Sequence, residues 1–114
     1  MRARSGALLL SLAGAFRAAA QGPPDAAQIY AEKCQACHLP EGKAPVKEMS
    51  FAEGSWKHGT KIADLVRVIR EGVDGTAMLP FKDQLDKNEI EALARYVRAF
   101  DKRLKPEPNA KGKK

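Results

Sequence analysis

Two thiols and an imidazole stand together in Cys34-Gln35-Ala36-Cys37-His38, and these are the only cysteines in a chain of 114 residues. At this spacing the thiols suit addition to the two vinyl groups of a haem, and the adjacent imidazole suits ligation of its iron. Two other chemistries use paired cysteines. A thioredoxin-like dithiol requires a strand and helix beside a parallel sheet, and a zinc half-site requires two further ligands. The chain has no alternating strand pattern and no second cysteine pair. A structural disulfide across so short a loop would restrict the unfolded chain little. The motif therefore predicts one covalent haem c, held by Cys34 and Cys37, with His38 on the iron.

His38 leaves the other side of the iron open, and the residue that fills it decides the chemistry. Met78 sits in Gly75-Thr76-Ala77-Met78-Leu79-Pro80-Phe81, a loop bounded by glycine and proline that can aim a side chain inward from a non-helical backbone. Met49 lies too near His38 along the chain to reach the opposite face easily, and reads as core filler. His58 is the rival ligand. Histidine and methionine together would keep the iron six-coordinate and its potential high, which suits electron transfer. With Met78 displaced, an open iron beside His58 would suit a peroxidase or a gas-binding protein instead.

These residues need elements to position them. Asp25 and Gln28 have the spacing of a capping box, opening a helix that holds Ile29, Tyr30, Lys33 and Cys34. From Leu39 to Gly59 turns at Pro40, Gly42, Pro45, Gly54 and Gly59 break any period, which predicts an irregular strap. Helical spacing returns through Ile62, Leu65, Val66 and Ile69, with Thr60 as the expected N-cap and Gly72 as the C-cap. Asp86 and Glu89 form a second box before Ile90, Leu93, Val97 and Phe100, with Glu91 and Arg95 paired on the outer face. Three short helices from roughly 80 residues bury a marginal core, and a bulky macrocycle would complete it.

The ends divide the charge. Met1-Arg2-Ala3-Arg4, an apolar run from Gly6 to Ala15 and the small residues Ala18-Ala19-Ala20 read as a cleaved signal peptide over residues 1–20, directing the protein to the periplasm. The rival is a mitochondrial transit peptide, leading to the intermembrane space. The run is too short, and too broken by Ser11 and Gly14, to be a permanent anchor, so no integral membrane span is expected. The net charge of +6 includes three arginines in the leader. Residues 102–114 hold six basic residues and one acidic, so residues 21–101, the expected folded domain, are left at about −2. The tail is interrupted by Pro106, Pro108 and Gly112 and has no aromatic residue to stack on bases. It therefore reads as a disordered, solvated end, and nucleic acid is not an expected partner. Lysines of the strap (Lys43, Lys47, Lys57) and the tail are alternative elements for steering partners.

Taken together, Cys34-x-x-Cys37-His38, Gly75-Thr76-Ala77-Met78 and Leu93-x-x-Tyr96-Val97 resemble class I c-type cytochromes, the small soluble bacterial monohaem kind, over residues 25–100. The resemblance implies an all-α fold with three main helices and long loops wrapped around one covalent haem. It implies that Ala26 and Tyr30 on the first helix meet Leu93 and Tyr96 on the last. It further implies that the Pro45 carbonyl accepts from the second ring nitrogen of His38, that Trp56 lies near the haem propionates and that Leu79 borders the haem. The implied role is a single-electron carrier rather than an enzyme. Its partners would be larger redox proteins, a membrane-bound oxidase or dehydrogenase among them.

Overall fold

The computed structural model describes residues 23–108, and among these the only regular structure is helical. The leader expected over residues 1–20 lies outside the described residues. Helix α1 (Ala26–Lys33) starts where the Asp25 carboxylate accepts from the Gln28 N–H at 3.1 Å. The Gln28 side chain turns forward to Glu32 rather than back to the cap, so only half of the expected box forms. Cys34 ends α1, and a single turn, α2 (Gln35–His38), follows at once. Cys34 thus stands at the break between two helical pieces rather than inside one.

Helix α3 (Ile62–Glu71) buries Ile62, Leu65 and Ile69 and stops at Gly72, whose φ of 72° favours glycine. Helix α4 (Lys87–Arg98) has the complete capping box: Glu89 N–H donates to Asp86 at 2.8 Å, and Asp86 N–H donates to Glu89 at 2.9 Å. Its buried stripe of Ile90, Leu93, Ala94 and Val97 packs on both α1 and α3. Each fully buried aliphatic side chain contributes about 1.5–3 kcal/mol of burial free energy. The expected crossing of first and last helices is present. Tyr30 and Leu93 are fully buried, and the Tyr30 ring lies 5.6 Å from Tyr96 and 5.3 Å from Phe100 between centroids.

Two expectations are corrected at the start of α3 and in the tail. Thr60 is not the N-cap of α3: the cap position is Lys61, whose N–H donates to Asp64 at 3.2 Å. The next orphan donor, the Ile62 N–H, is satisfied by the Glu107 carboxylate at 3.2 Å, from 45 residues away. The described part of the tail is consequently hydrogen-bonded rather than simply solvated. Arg103 donates to the Gly54 carbonyl, Arg98 to the Lys105 carbonyl and Arg95 to the Glu107 carbonyl, so residues 102–107 are tied to the body. Composition suggested disorder because it counted charges without their partners.

Candidate haem site

The α1–α2 break presents the two thiols differently. Cys34 is partly buried against the core, whereas Cys37 is exposed, and the two are not joined to each other. Burial pushes the Cys34 thiol up to about 11, with the neighbouring Lys33 opposing and Cys37 adding to the shift. It is therefore a neutral thiol at pH 7, unlike the low-pKa thiolate of a redox dithiol. The described residues contain no strand, which separates the pair from the thioredoxin-like chemistry considered above.

His38 closes α2, and its ring is held from two sides. Its Nδ1 lies 2.7 Å from the Met49 carbonyl oxygen. A carbonyl only accepts, so Nδ1 carries the proton and donates, which leaves Nε2 as the nitrogen with a free lone pair. The Phe51 ring stacks on the imidazole at 4.5 Å between centroids and 24° between planes. This corrects the expectation for Pro45, whose carbonyl is not the acceptor. The 3₁₀ turn Lys47–Met49 folds the strap back so that the Met49 carbonyl reaches the ring.

The reversal after His38 requires unusual backbone. Leu39 has φ 64° and ψ 161°, a region that side-chain-bearing residues rarely adopt. The Tyr30 hydroxyl holds it there by donating to the Leu39 carbonyl at 2.6 Å. Gly42, at φ 67°, then takes the strap through a close approach: a Cβ there would meet the Phe51 Cβ at 2.8 Å. The Gly42 carbonyl accepts from the Phe51 N–H at 2.8 Å and the Ser50 hydroxyl at 2.8 Å, fixing the segment that carries Met49 and Phe51.

Met78 is partly buried, and its backbone is well fixed. Its N–H donates to the Thr76 hydroxyl at 3.1 Å, its carbonyl accepts from the Val73 N–H at 3.0 Å, and Thr76 donates on to the Val73 carbonyl at 2.7 Å. Gly72 permits this packing, because a Cβ at that position would lie 2.6 Å from the Met78 carbonyl oxygen. Leu79 is 66% exposed, an uncovered apolar side chain next to the candidate ligand. His58, the rival, is exposed and lines a hollow with Arg67, Glu71, Pro80 and Lys82. Cys34, Cys37, His38 and Met78 line neither that hollow nor a second one beside Arg95, Arg98 and Glu107.

Trp56 packs against Phe51 at 5.6 Å between centroids, and its indole N–H donates to Asp101 at 2.7 Å. Its one donor is thus committed to a carboxylate of the chain itself. Asp101 is 1% exposed and also accepts from Arg103 at 2.6 Å, and these hydrogen bonds hold its carboxyl well below the usual carboxylate range. Sequence reasoning missed Phe51 and Asp101. An aromatic residue in an unpatterned strap gives no periodic signal, and an acid beside Lys102 and Arg103 reads as part of a charged tail.

The residues present fit a covalent haem: two unlinked thiols, an imidazole whose tautomer is set with Nε2 free, and an apolar Leu79 left uncovered. Residues 21–97 match the family described as cytochrome C oxidase, cbb3-type, subunit III. Over 76 residues the chain is 33% identical to the Cbb3-type cytochrome c oxidase subunit FixP of Bradyrhizobium sp. (strain ORS 278), covering 65% of this chain and 26% of that protein. The chain thus spans about a quarter of the length of this relative. Among solved structures it is similar to the KustC0563 c-type cytochrome, with a TM-score of 0.58 and 31% identity over 68% of this chain and 99% of the other. A likeness of fold extends to the Kuenenia stuttgartiensis reducing HAO-like protein complex Kustc0457/Kustc0458, with a TM-score of 0.59 at 21% identity, covering 75% of this chain and 46% of that one.

Proposed function

The chain belongs to the c-type cytochrome family of the cbb3-type oxidase subunit III, and on that premise we propose that it carries single electrons between larger redox proteins. Its all-α fold is that of the c-type cytochromes, and the cofactor of the family is haem c. In this reading Cys34 and Cys37 hold one haem through thioethers, while His38 and Met78 take the two axial positions. When bound, the haem supplies an iron that exchanges one electron between ferrous and ferric states.

The observation that carries the reading is the fixing of His38. The Met49 carbonyl accepts from Nδ1, so Nε2 keeps its lone pair free before any metal arrives, and Phe51 stacks on the ring and restrains its turning. A ligand held in this way moves little between oxidation states, which keeps reorganisation small. The hydrogen-bonded loop at Val73, Thr76 and Met78 does the same for the second ligand. His58, the rival ligand, stands exposed in a polar hollow. The oxidase-subunit name of one relative and the multi-protein complex of another support redox partners for this chain, and the leader supports the periplasm as its place of work.

A pyridine haemochrome assay on purified protein tests the cofactor, with one haem c per chain expected. The oxidised protein should then display the weak far-red band of methionine sulfur on ferric iron. Covalent haem without that band would turn the reading toward the peroxidase or gas-binding alternative.

A further inference from the structure

The strap and the tail meet in one place. Arg103 donates to the Gly54 carbonyl at 2.9 Å, Arg98 donates to the carbonyls of both Thr60 and Lys105, and Glu107 accepts from the Ile62 N–H at 3.2 Å. These bonds lay residues 101–107 along residues 54–62. Of the acids at the junction, Glu53 is exposed, Asp64 accepts from the Lys61 N–H and pairs with Arg67 at 3.4 Å, and the other two are used internally. Asp101 is buried on Trp56 and Arg103, and Glu107 caps α3 with Arg98 at 4.0 Å. Lys57, Lys61, Lys102 and Lys105 are exposed and pair with no carboxylate among the described residues.

The domain is polarised as a result. Residues 53–61 and 98–107 hold six basic and three acidic residues, a net +3, whereas the rest of residues 21–108 holds eight basic and eleven acidic, a net −3. A molecule with separated poles orients in the field of a charged partner before contact. The positive pole abuts Trp56, which packs on Phe51, which stacks on His38. Neither of the large apolar side chains exposed among the described residues, Val46 and Leu79, falls in these segments. A face that inserts into a bilayer needs such groups.

We propose that Lys57, Lys61, Lys102 and Lys105 form one docking face for an acidic patch on a redox-partner protein. The inference rests on the electron-carrier reading and names the side of the domain at which exchange occurs. Of the strap lysines it takes Lys57 alone and joins it to the tail, since residues 54–60 and the tail are parts of the same surface.

The test uses reduced, ¹⁵N-labelled holoprotein titrated with poly-L-glutamate at low ionic strength. Shifts should concentrate in residues 54–61 and 101–107 and disappear on adding salt. The combined variant Lys57→Gln, Lys102→Gln, Lys105→Gln should bind about tenfold more weakly, equivalent to about 1.4 kcal/mol. A control with Lys33→Gln, Lys43→Gln and Lys87→Gln should bind as the parent does. Shifts spread evenly over the control lysines, or unchanged binding by the first variant, would overturn the proposal. So would a face that binds phosphatidylglycerol vesicles and ignores poly-L-glutamate, which would reassign it to a bilayer. Voltammetry on the same sample separates this from the parent reading, because a carrier keeps its reversible one-electron couple whatever the docking face does.

Discussion

The Phe51 ring lies on the His38 imidazole, 4.5 Å between centroids and 24° from parallel, while the opposite edge of the histidine is tied to the Met49 carbonyl at 2.7 Å. The two residues come from different segments, His38 from α2 and Phe51 from the strap, and Gly42 locks them together. In the reading proposed above, a ring restrained in both rotation and tilt would meet the iron with its geometry already set. The restraint continues outward, since Phe51 is backed by Trp56 and Trp56 by the buried Asp101.

Replacing Phe51 by Ala should release one face of that ring. Phe51 is only partly buried, so the loss should be at the low end for a large-to-small change, about 1–3 kcal/mol. Guanidinium denaturation of the holoprotein measures this. Broadened His38 ring signals in the NMR spectrum of the reduced variant would identify the ligand as the part set loose.

On the proposed assignment of the thioethers to Cys34 and Cys37, Met78→Ala should leave haem attached, yet lower the reduction potential by removing the proposed soft ligand. The far-red band should disappear from the oxidised spectrum. Survival of both band and potential would transfer the role to another side chain, with Met49 the first to examine.

His38→Ala should cripple maturation more than Met78→Ala, since the attachment run is then incomplete and the chain lacks the core that the macrocycle supplies. The measurement is the yield of covalent haem per milligram of exported protein. A normal yield would separate cofactor attachment from folding.

What could be read from the sequence was local. The capping box of Asp86 and Glu89, the stripe of Ile90, Leu93 and Val97 and the stop at Gly72 each involve residues within one or two turns of one another, where spacing alone determines the outcome. The residues proposed to bind haem, Cys34, Cys37 and His38, stand out for the same reason, as chemistry written in five consecutive positions. What could not be read was long-range or carried by the backbone. Met49 supplies a carbonyl, which any residue could supply, so nothing about a methionine announces it and Pro45 looked as suitable. Glu107 caps a helix 45 residues earlier, and no window along the chain spans that distance. The Trp56–Asp101 hydrogen bond also joins residues 45 apart, so the partner of the indole N–H was not legible either.

Asp101 gives the domain an acid-sensitive lock. Its carboxyl is held well below the ordinary carboxylate range by hydrogen bonds from Arg103 and Trp56, against the opposing effect of burial. A depressed carboxyl contributes stability that is complete above about pH 4, its unfolded range, and is lost as pH falls toward the folded value. Asp101→Asn should therefore lower stability at neutral pH by about 1–3 kcal/mol and flatten the acid limb of the curve. Denaturation midpoints of parent and variant from pH 7 down to pH 2 test this. Parallel curves would mean that another carboxylate governs the acid limb.

The last prediction concerns Glu107, because it decides whether the segment after α4 is structural. Its carboxylate accepts from the Ile62 N–H, and its own carbonyl accepts from Arg95, so one residue joins the start of α3 to α4. An anionic cap at a helix N-terminus satisfies an orphan donor and meets the positive end of the dipole. Glu107→Gln keeps a weaker acceptor and removes the charge, and should cost about 0.3–1 kcal/mol. Glu107→Ala removes both and should cost about 0.5–2 kcal/mol. Amide exchange is the sharper readout: Ile62 and the first turn of α3 should lose protection in the alanine variant while the middle of α4, at Leu93 and Ala94, keeps it. Unchanged protection at Ile62 would mean that α3 is capped without the tail, and that residues 102–107 merely lie on the surface they touch.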